Sequence, residues 1–566
     1  QVELFLVILI LLYFLLIFLY SLRVIHHQIY SITKQMIIKT FIKKKSFFIY
    51  LLFLTLISFS INQYYAYIGV LPVDSFSTFN AGYDILNGSI PFKDFWSIKG
   101  PVMDVLQAFF FKFFGVSWFS YAMHSSFFNS IFALSTFFTL KKFNLEIKYC
   151  FFYSVLASIL MYPTYGIPFT DHHVAIFSIL SVYCVCLAIK FNDLKYWFII
   201  PILLFLGFFT KQTPAAYFGI LIFFVSILNL FFNFDKKIII YVILSSLLTI
   251  LCFFALVLFY EIPIANIILQ YFLFPMSLGE TRLEWLFPLE FKRFILRYKL
   301  LYIALAIPIF FLFKNTFKNF SSFISKDNLI FILLFGTLII FVIHQLMTIN
   351  GLFIFFLIPI FSGFSHIYSK SFKNKNRYAY FFLVLTLIST IYYHQKYISK
   401  RDTLVLRNID LKASVNSSII DNKLSNLKWI THHYPTNPQE EIQNLKDAIK
   451  IIEQDNRTKM LVTDYQFISV VLSIDDNAAA RIWWRHHIYP SGPEKKYFDE
   501  WRNFLINKII QNKVKVIYTI KPLEGEENIL QNIISDQCYN ENNLSKILMI
   551  QEMMECNELI SSINLK

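Results

Sequence analysis

VDSFSTFNAGYDILNGSIPFKDFWSIKGPVMDVLQAFFFKFFG, residues 73–115, is the stretch that sets how the rest of the chain reads. In a chain that is 57% hydrophobic and 15% charged, it holds Asp74, Asp84, Asp94 and Asp104 together with Lys93, Lys99 and Lys112. Phe76, Phe79, Tyr83 and Leu86 recur at three- and four-residue spacing, which places them on one face of a short helix. Asp74-Ser75 supplies a start signal and Asn87-Gly88 a stop. Pro91 forces the segment from Ile90 to Trp96 into an extended form. A second, strongly apolar helix begins after Lys99-Gly100-Pro101. Two amphipathic helices joined by a charged, aromatic turn predict a platform that lies on a membrane instead of crossing it.

Outward from this stretch, the composition excludes a soluble globule. Such proteins carry roughly 25% charged residues, and here the deficit is filled by apolar runs of membrane-spanning length. The predicted fold class is a polytopic α-helical membrane protein with a small soluble α/β domain at its C-terminal end. About twelve spans are expected, near 2–22, 46–64, 117–140, 149–163, 172–190, 197–210, 214–233, 239–260, 299–313, 328–346, 352–369 and 378–394. The first run is read as a span, being too long for a signal-peptide core and lacking a small-residue cleavage site.

The net charge of +15 is uneven. Residues 395–566 balance 22 Lys and Arg against 22 Asp and Glu, so the excess lies in residues 1–394. There it concentrates around Lys43, Lys141-Lys142, Lys190–Lys195, Lys236-Lys237, Lys314–Lys326 and Lys370–Arg377. That is the footprint of the positive-inside rule, not of a nucleic-acid surface. Alternating spans then place the platform (65–115), the loop around Tyr165–His173, Lys211, the long loop 261–298 and the tail on the outer side of a plasma membrane. In the tail, a helix opening at Asn437-Pro438 and buried strands at Lys459–Asp464 and Val514–Ile520 predict an α/β domain spanning 395–566. Cys538 and Cys556 can pair only if that domain faces an oxidising compartment.

Several outer-side residues suit chemistry at the interface. Asp74, just past a span, is either a proton acceptor or a helix N-cap. Lys99 is either a phosphate ligand or a lysine snorkelling to head groups. Lys211, between two spans with almost no loop, calls for a specific partner, and a phosphate would suit it. Asp171-His172-His173 resembles a metal cluster, but adjacent histidines on a helix point about 100° apart. Hydrogen bonding to a polar substrate is the better expectation, with Gln212 in the same role. Glu280, Arg282, Glu284, Lys292 and Arg293 either line an acceptor groove or form a solvated face. Trp483-Trp484-Arg485-His486-His487 either stacks on sugar rings or belongs to a core.

Taken in order, Asp74, Gly88-Ser89-Ile90-Pro91-Phe92-Lys93-Asp94-Phe95-Trp96, Lys99-Gly100-Pro101 and Thr210-Lys211-Gln212 resemble the GT-C membrane glycosyltransferases. The nearest likeness is to the protein O-mannosyltransferase and lipid A aminoarabinose transferase group, and it is strongest over residues 70–215. The resemblance implies inverting, metal-independent and cofactor-free transfer of a sugar from a polyprenyl-phosphate donor to a glycan, lipid or protein acceptor. It implies Asp74 as catalytic base and Lys99 and Lys211 as donor-phosphate ligands, with Arg282 added to them. Ser75 stands where the family often has a second acid, so Asp94 is the alternative carboxylate. A transporter or flippase for lipid-linked sugars is the competing expectation.

Overall fold

The computed structural model describes residues 34–556 except 164, 288–289, 318–324, 349–352, 484–487 and 524–527. The expected span at 2–22 therefore lies outside the described residues. Two compact units are separated between residues 56 and 57, inside the long helix Lys34–Ala66. The second unit carries the candidate site and the tail.

The chain is mostly helical. Among the described residues, five helices are long and apolar enough to cross a membrane: Phe47–Ala66, Thr170–Phe191, Gln212–Phe232, Lys236–Phe259 and Lys326–Thr348. Two bent pairs raise the number to seven if each counts once: Val102–Phe114 with Trp118–Lys142, and Phe291–Ala304 with Ala306–Thr316. The count falls below the expected twelve for a plain geometric reason. Ile147–Met161 and Leu194–Phe208 have 15 residues each, about 22 Å at 1.5 Å per residue, against a hydrocarbon core of roughly 30 Å. Helix Lys375–Lys400 is long, but its polar residues keep it outside the apolar set. The expected loop 261–298 is also largely helical, with turns from Ile264 to Ser277 interrupted by a π-helical stretch at Ile268–Leu273 and followed by Gly279–Leu286.

Helix ends sort into two sets. At one end, Lys190 and Tyr368 converge on Asp327 at 2.6 and 2.9 Å, Lys326 reaches Asn192, and Lys370 donates to the Asn144 carbonyl. At the other, Arg401 is fully buried and donates to the carbonyls of Pro163, Tyr65 and Ile68. Each contact joins loops that charge alternation assigns to the same side.

The tail carries a four-stranded sheet. Strand Lys459–Thr463 pairs in parallel with Val516–Ile520, which pairs antiparallel with Leu548–Met553, which pairs antiparallel with the edge strand Tyr539–Asn543. Helix Pro438–Gln454, capped by the Asn437 side chain, covers one face, and Phe498–Gln511 contributes to the core on the other. The last two strands escape periodicity because the edge strand reads Tyr-Asn-Glu-Asn-Asn. Cys538 and Cys556 form a disulfide.

The platform is sandwiched. Helix Ser77–Leu86 sets Phe79 against Phe111 and Tyr121 of the helical bundle, while Phe76 packs on Trp429 and Phe467 of the tail. Trp96 donates its backbone N–H to the Ala479 carbonyl at 2.8 Å and buries its ring against Trp501. Platform and tail thus share two apolar cores, one around Phe76 and Trp429 and one around Trp96 and Trp501. Asp74 does not cap the long platform helix, because it sits within a separate turn, Pro72–Ser75, that precedes it.

Candidate active site at one end of the helical bundle

Four separated segments bring their charged side chains together here. Thr170–Phe191 places Asp171 in its first turn, Gln212–Phe232 begins immediately after Lys211, and Lys326–Thr348 carries His344 near its last turn. Lys211 Nζ lies 2.6 Å from Asp171 Oδ1, and His344 Nε2 lies 3.0 Å from the same oxygen. The Asp171 carboxylate is almost fully buried and the Lys211 side chain is 17% exposed. Lys211 therefore has a specific partner, as its position required, but the partner is a carboxylate that balances its charge.

Asp74 stands on the fourth segment. The hydroxyl of Tyr165 donates to Asp74 Oδ2 at 3.2 Å, and the Tyr165 ring is stacked on Phe169 with centroids 3.9 Å apart. Burial raises the Asp74 carboxyl above the usual carboxylate range, opposed chiefly by Lys99, then by the Tyr165 hydrogen bond and, more weakly, by Lys211. Burial thus outweighs both lysines. The result is a carboxylate more basic than usual, in electrostatic contact with both expected phosphate ligands.

Lys99 is held by backbone geometry. Gly100 packs so closely on the next segment that a Cβ there would lie 1.6 Å from the Phe209 carbonyl oxygen. Val102 N–H donates to that same carbonyl. The Gln212 amide donates to the carbonyls of Ile98 and Tyr271 at 3.1 and 2.9 Å, so it braces the Lys99 loop. Among the described residues Lys99 and Arg282 form no ion pair, and the charges of both bear on Lys211. The two uncommitted cations of the site are therefore Lys99 and Arg282.

Other expected residues lie differently. Asp94 Oδ2 accepts the Ile90 N–H at 2.7 Å and closes the turn around Pro91. It lies within electrostatic reach of Lys508 in the tail. Asp171, His172 and His173 diverge as helical geometry requires. His172 is stacked on Tyr162, while His173 meets Tyr162, the Phe169 carbonyl and, at 3.1 Å, His124. Trp483 is buried against Tyr489, and residues 484–487 lie outside the described residues.

Sequence reasoning missed three participants. His344 and Tyr165 come from segments that read as plain span and plain loop. Buried Asp104, hydrogen-bonded to Thr78, lies within electrostatic reach of both Lys99 and Arg481. Arg481 belongs to a buried knot between platform and tail. It donates to both oxygens of Asp476 at 2.9 and 3.0 Å, lies 2.8 Å from Asp84 and covers the Phe95 ring at 4.3 Å. Asn80 completes the knot by donating to Asp84 and Asp476. The four-residue spacing of Asn80 and Asp84 was the available signal, since it puts both on one helix face.

No family model matches the chain, and no curated protein matches it in sequence.

Proposed function

We propose that the protein is a membrane glycosyltransferase that moves a sugar from a polyprenyl-phosphate carrier to an acceptor hydroxyl at the outer face of the plasma membrane. The observation that carries this is the meeting of a buried, base-like carboxylate, Asp74, with Lys99 and the Asp171–Lys211 pair at a single end of the helix bundle.

The chemistry asks for those groups. The acceptor hydroxyl gives its proton to Asp74 as its oxygen bonds to the anomeric carbon. The bond from that carbon to the phosphate oxygen breaks, and polyprenyl phosphate leaves with an added negative charge. Lys99 and Arg282 are uncommitted and take that charge, while Lys211, already balanced by Asp171, orders the pocket wall. A positioned base contributes typically ~10²–10⁴-fold, and cations aimed at a developing charge contribute in a weakly hydrated site. Attack from the face opposite the leaving group inverts the anomeric centre.

The outer location is supported by the cation-rich loops gathered at the opposite bundle end and by the Cys538–Cys556 disulfide. The short apolar helices are taken as further crossings through a locally thinned bilayer, which brings the total towards twelve.

Replacement of Lys99 separates phosphate binding from architecture. Lys99→Ala is expected to raise the KM for a polyprenyl-phosphate sugar about tenfold, the scale of a lost charge-assisted hydrogen bond. Lys99→Arg should restore most of it. An acceptor KM that rises instead, with donor KM unchanged, would remove Lys99 from the phosphate site.

A further inference from the structure

The tail sheet leaves one face incompletely covered. Helix Pro438–Gln454 presses Ile442, Leu445, Ala448 and Ile452 onto it, and between its last turn and the edge strand Tyr539–Asn543 a gap is left. Alternate residues of a strand share a face. The register therefore lines up Tyr518, Ile550 and Asn542 across three strands, with Glu552 opposite Asn540 in the neighbouring row. Together with the last turn of the helix they bound an open hollow of about 400 Å³. That is the lower part of the small-ligand range.

The walls define what fits. Arg457 is held between Asp455, at 2.9 and 3.1 Å, and Glu552, at 2.7 Å, so two carboxylates outweigh one guanidinium. The Tyr518 hydroxyl is likewise committed, donating to Asp455 at 2.7 Å. An anion would meet net negative charge. The uncommitted groups are the amides of Gln454, Asn540 and Asn542, all exposed at the rim and hydrogen-bonded to no described residue. Each amide offers paired donors and acceptors, while half-buried Ile451 and exposed Leu544 supply an apolar wall. Paired donor–acceptor edges beside an apolar wall match a pyranose ring, which carries hydroxyls at its rim and C–H groups on its faces.

We propose that this hollow is a carbohydrate-binding subsite of the tail that takes one or two neutral sugar rings, separate from the site around Asp74. It does not depend on the transferase function, because it requires only binding.

Saturation-transfer NMR on the full chain in nanodiscs, with cellobiose, chitobiose and mannobiose as probes and glucose 1-phosphate as the anionic control, tests it. At least one disaccharide should receive saturation, and the sugar phosphate should receive less. The double variant Asn540→Ala/Asn542→Ala, both positions exposed on an edge strand, should reduce the transfer about fivefold, as loss of neutral hydrogen bonds would. Gln454→Ala, on the facing helix end, should reduce it independently of any change in the strand. Asp74→Asn should leave it intact, which separates this subsite from the bundle site. Transfer to no disaccharide, or transfer unchanged in both rim variants, would overturn the proposal.

Discussion

Lys211 and Asp171 meet at 2.6 Å where little water reaches the carboxylate. Breaking such a pair from one side leaves a buried charge uncompensated, a loss of about 3–5 kcal/mol. Lys211→Ala is therefore expected to lower the melting temperature sharply, and adding Asp171→Asn should recover most of the loss. Equal melting of wild type and single variant would mean that water reaches the pair. Asp74 behaves in the opposite sense. Its folded pKa is raised by burial, so its contribution to stability is complete below the unfolded value of about 3.9 and is lost as pH rises through the folded value. Asp74→Asn should melt with the wild type near pH 4 and above it at pH 8. A variant less stable than wild type at pH 8 would contradict a desolvated carboxylate. The sequence made Asp74, Lys99 and Lys211 visible because each is a charge at the edge of an apolar run. It hid His344 and Tyr165, which become informative only once their carboxylate partners are known.

At the scale of elements, the platform helix was legible from the spacing of Phe76 and Phe79, but its second covered face was not. Amphipathicity distinguishes apolar from polar, not water from a docked domain. Asn80 and Asp84 share a face of that helix, and only the tertiary fold sets Arg481 and Asp476 against them. The same limit applies to Asp94, read as the alternative carboxylate, whose side chain accepts the Ile90 N–H and closes the turn around Pro91. Arg481→Ala would strand two buried carboxylates between platform and tail. The expected loss is about 3–5 kcal/mol, read as a lower melting temperature, with Arg481→Lys intermediate because an ammonium lacks the planar fork. A melting curve unchanged by Arg481→Ala would show that the knot does not join the two parts. Gly100 marks the complementary case: a glycine-proline pair signals a turn in any sequence, but the contact with Phe209 that requires the glycine is a property of the fold.

For the whole molecule, charge alternation anticipated a two-ended arrangement, and the contacts at Asp327, Asn192 and Asn144 join four of its six cation-rich loops. The number of full-length spans was less legible, since hydropathy reports apolar runs and not helix length, and breaks such as that at Leu305 are set by packing. The tail illustrates both outcomes. Its central strands announced themselves as short apolar runs, whereas its polar edge strand and its core shared with Trp96 did not. The central claim concerns the bundle end that holds Asp74. Its most direct test is to incubate the purified chain in nanodiscs with a panel of polyprenyl-phosphate sugars and acceptor membranes, and to follow release of polyprenyl phosphate by mass spectrometry. Wild type is expected to release it from at least one donor, and Asp74→Asn, folded and inserted, to do so ~10²–10⁴-fold more slowly. No release from any donor, or equal release by the variant, would contradict the account.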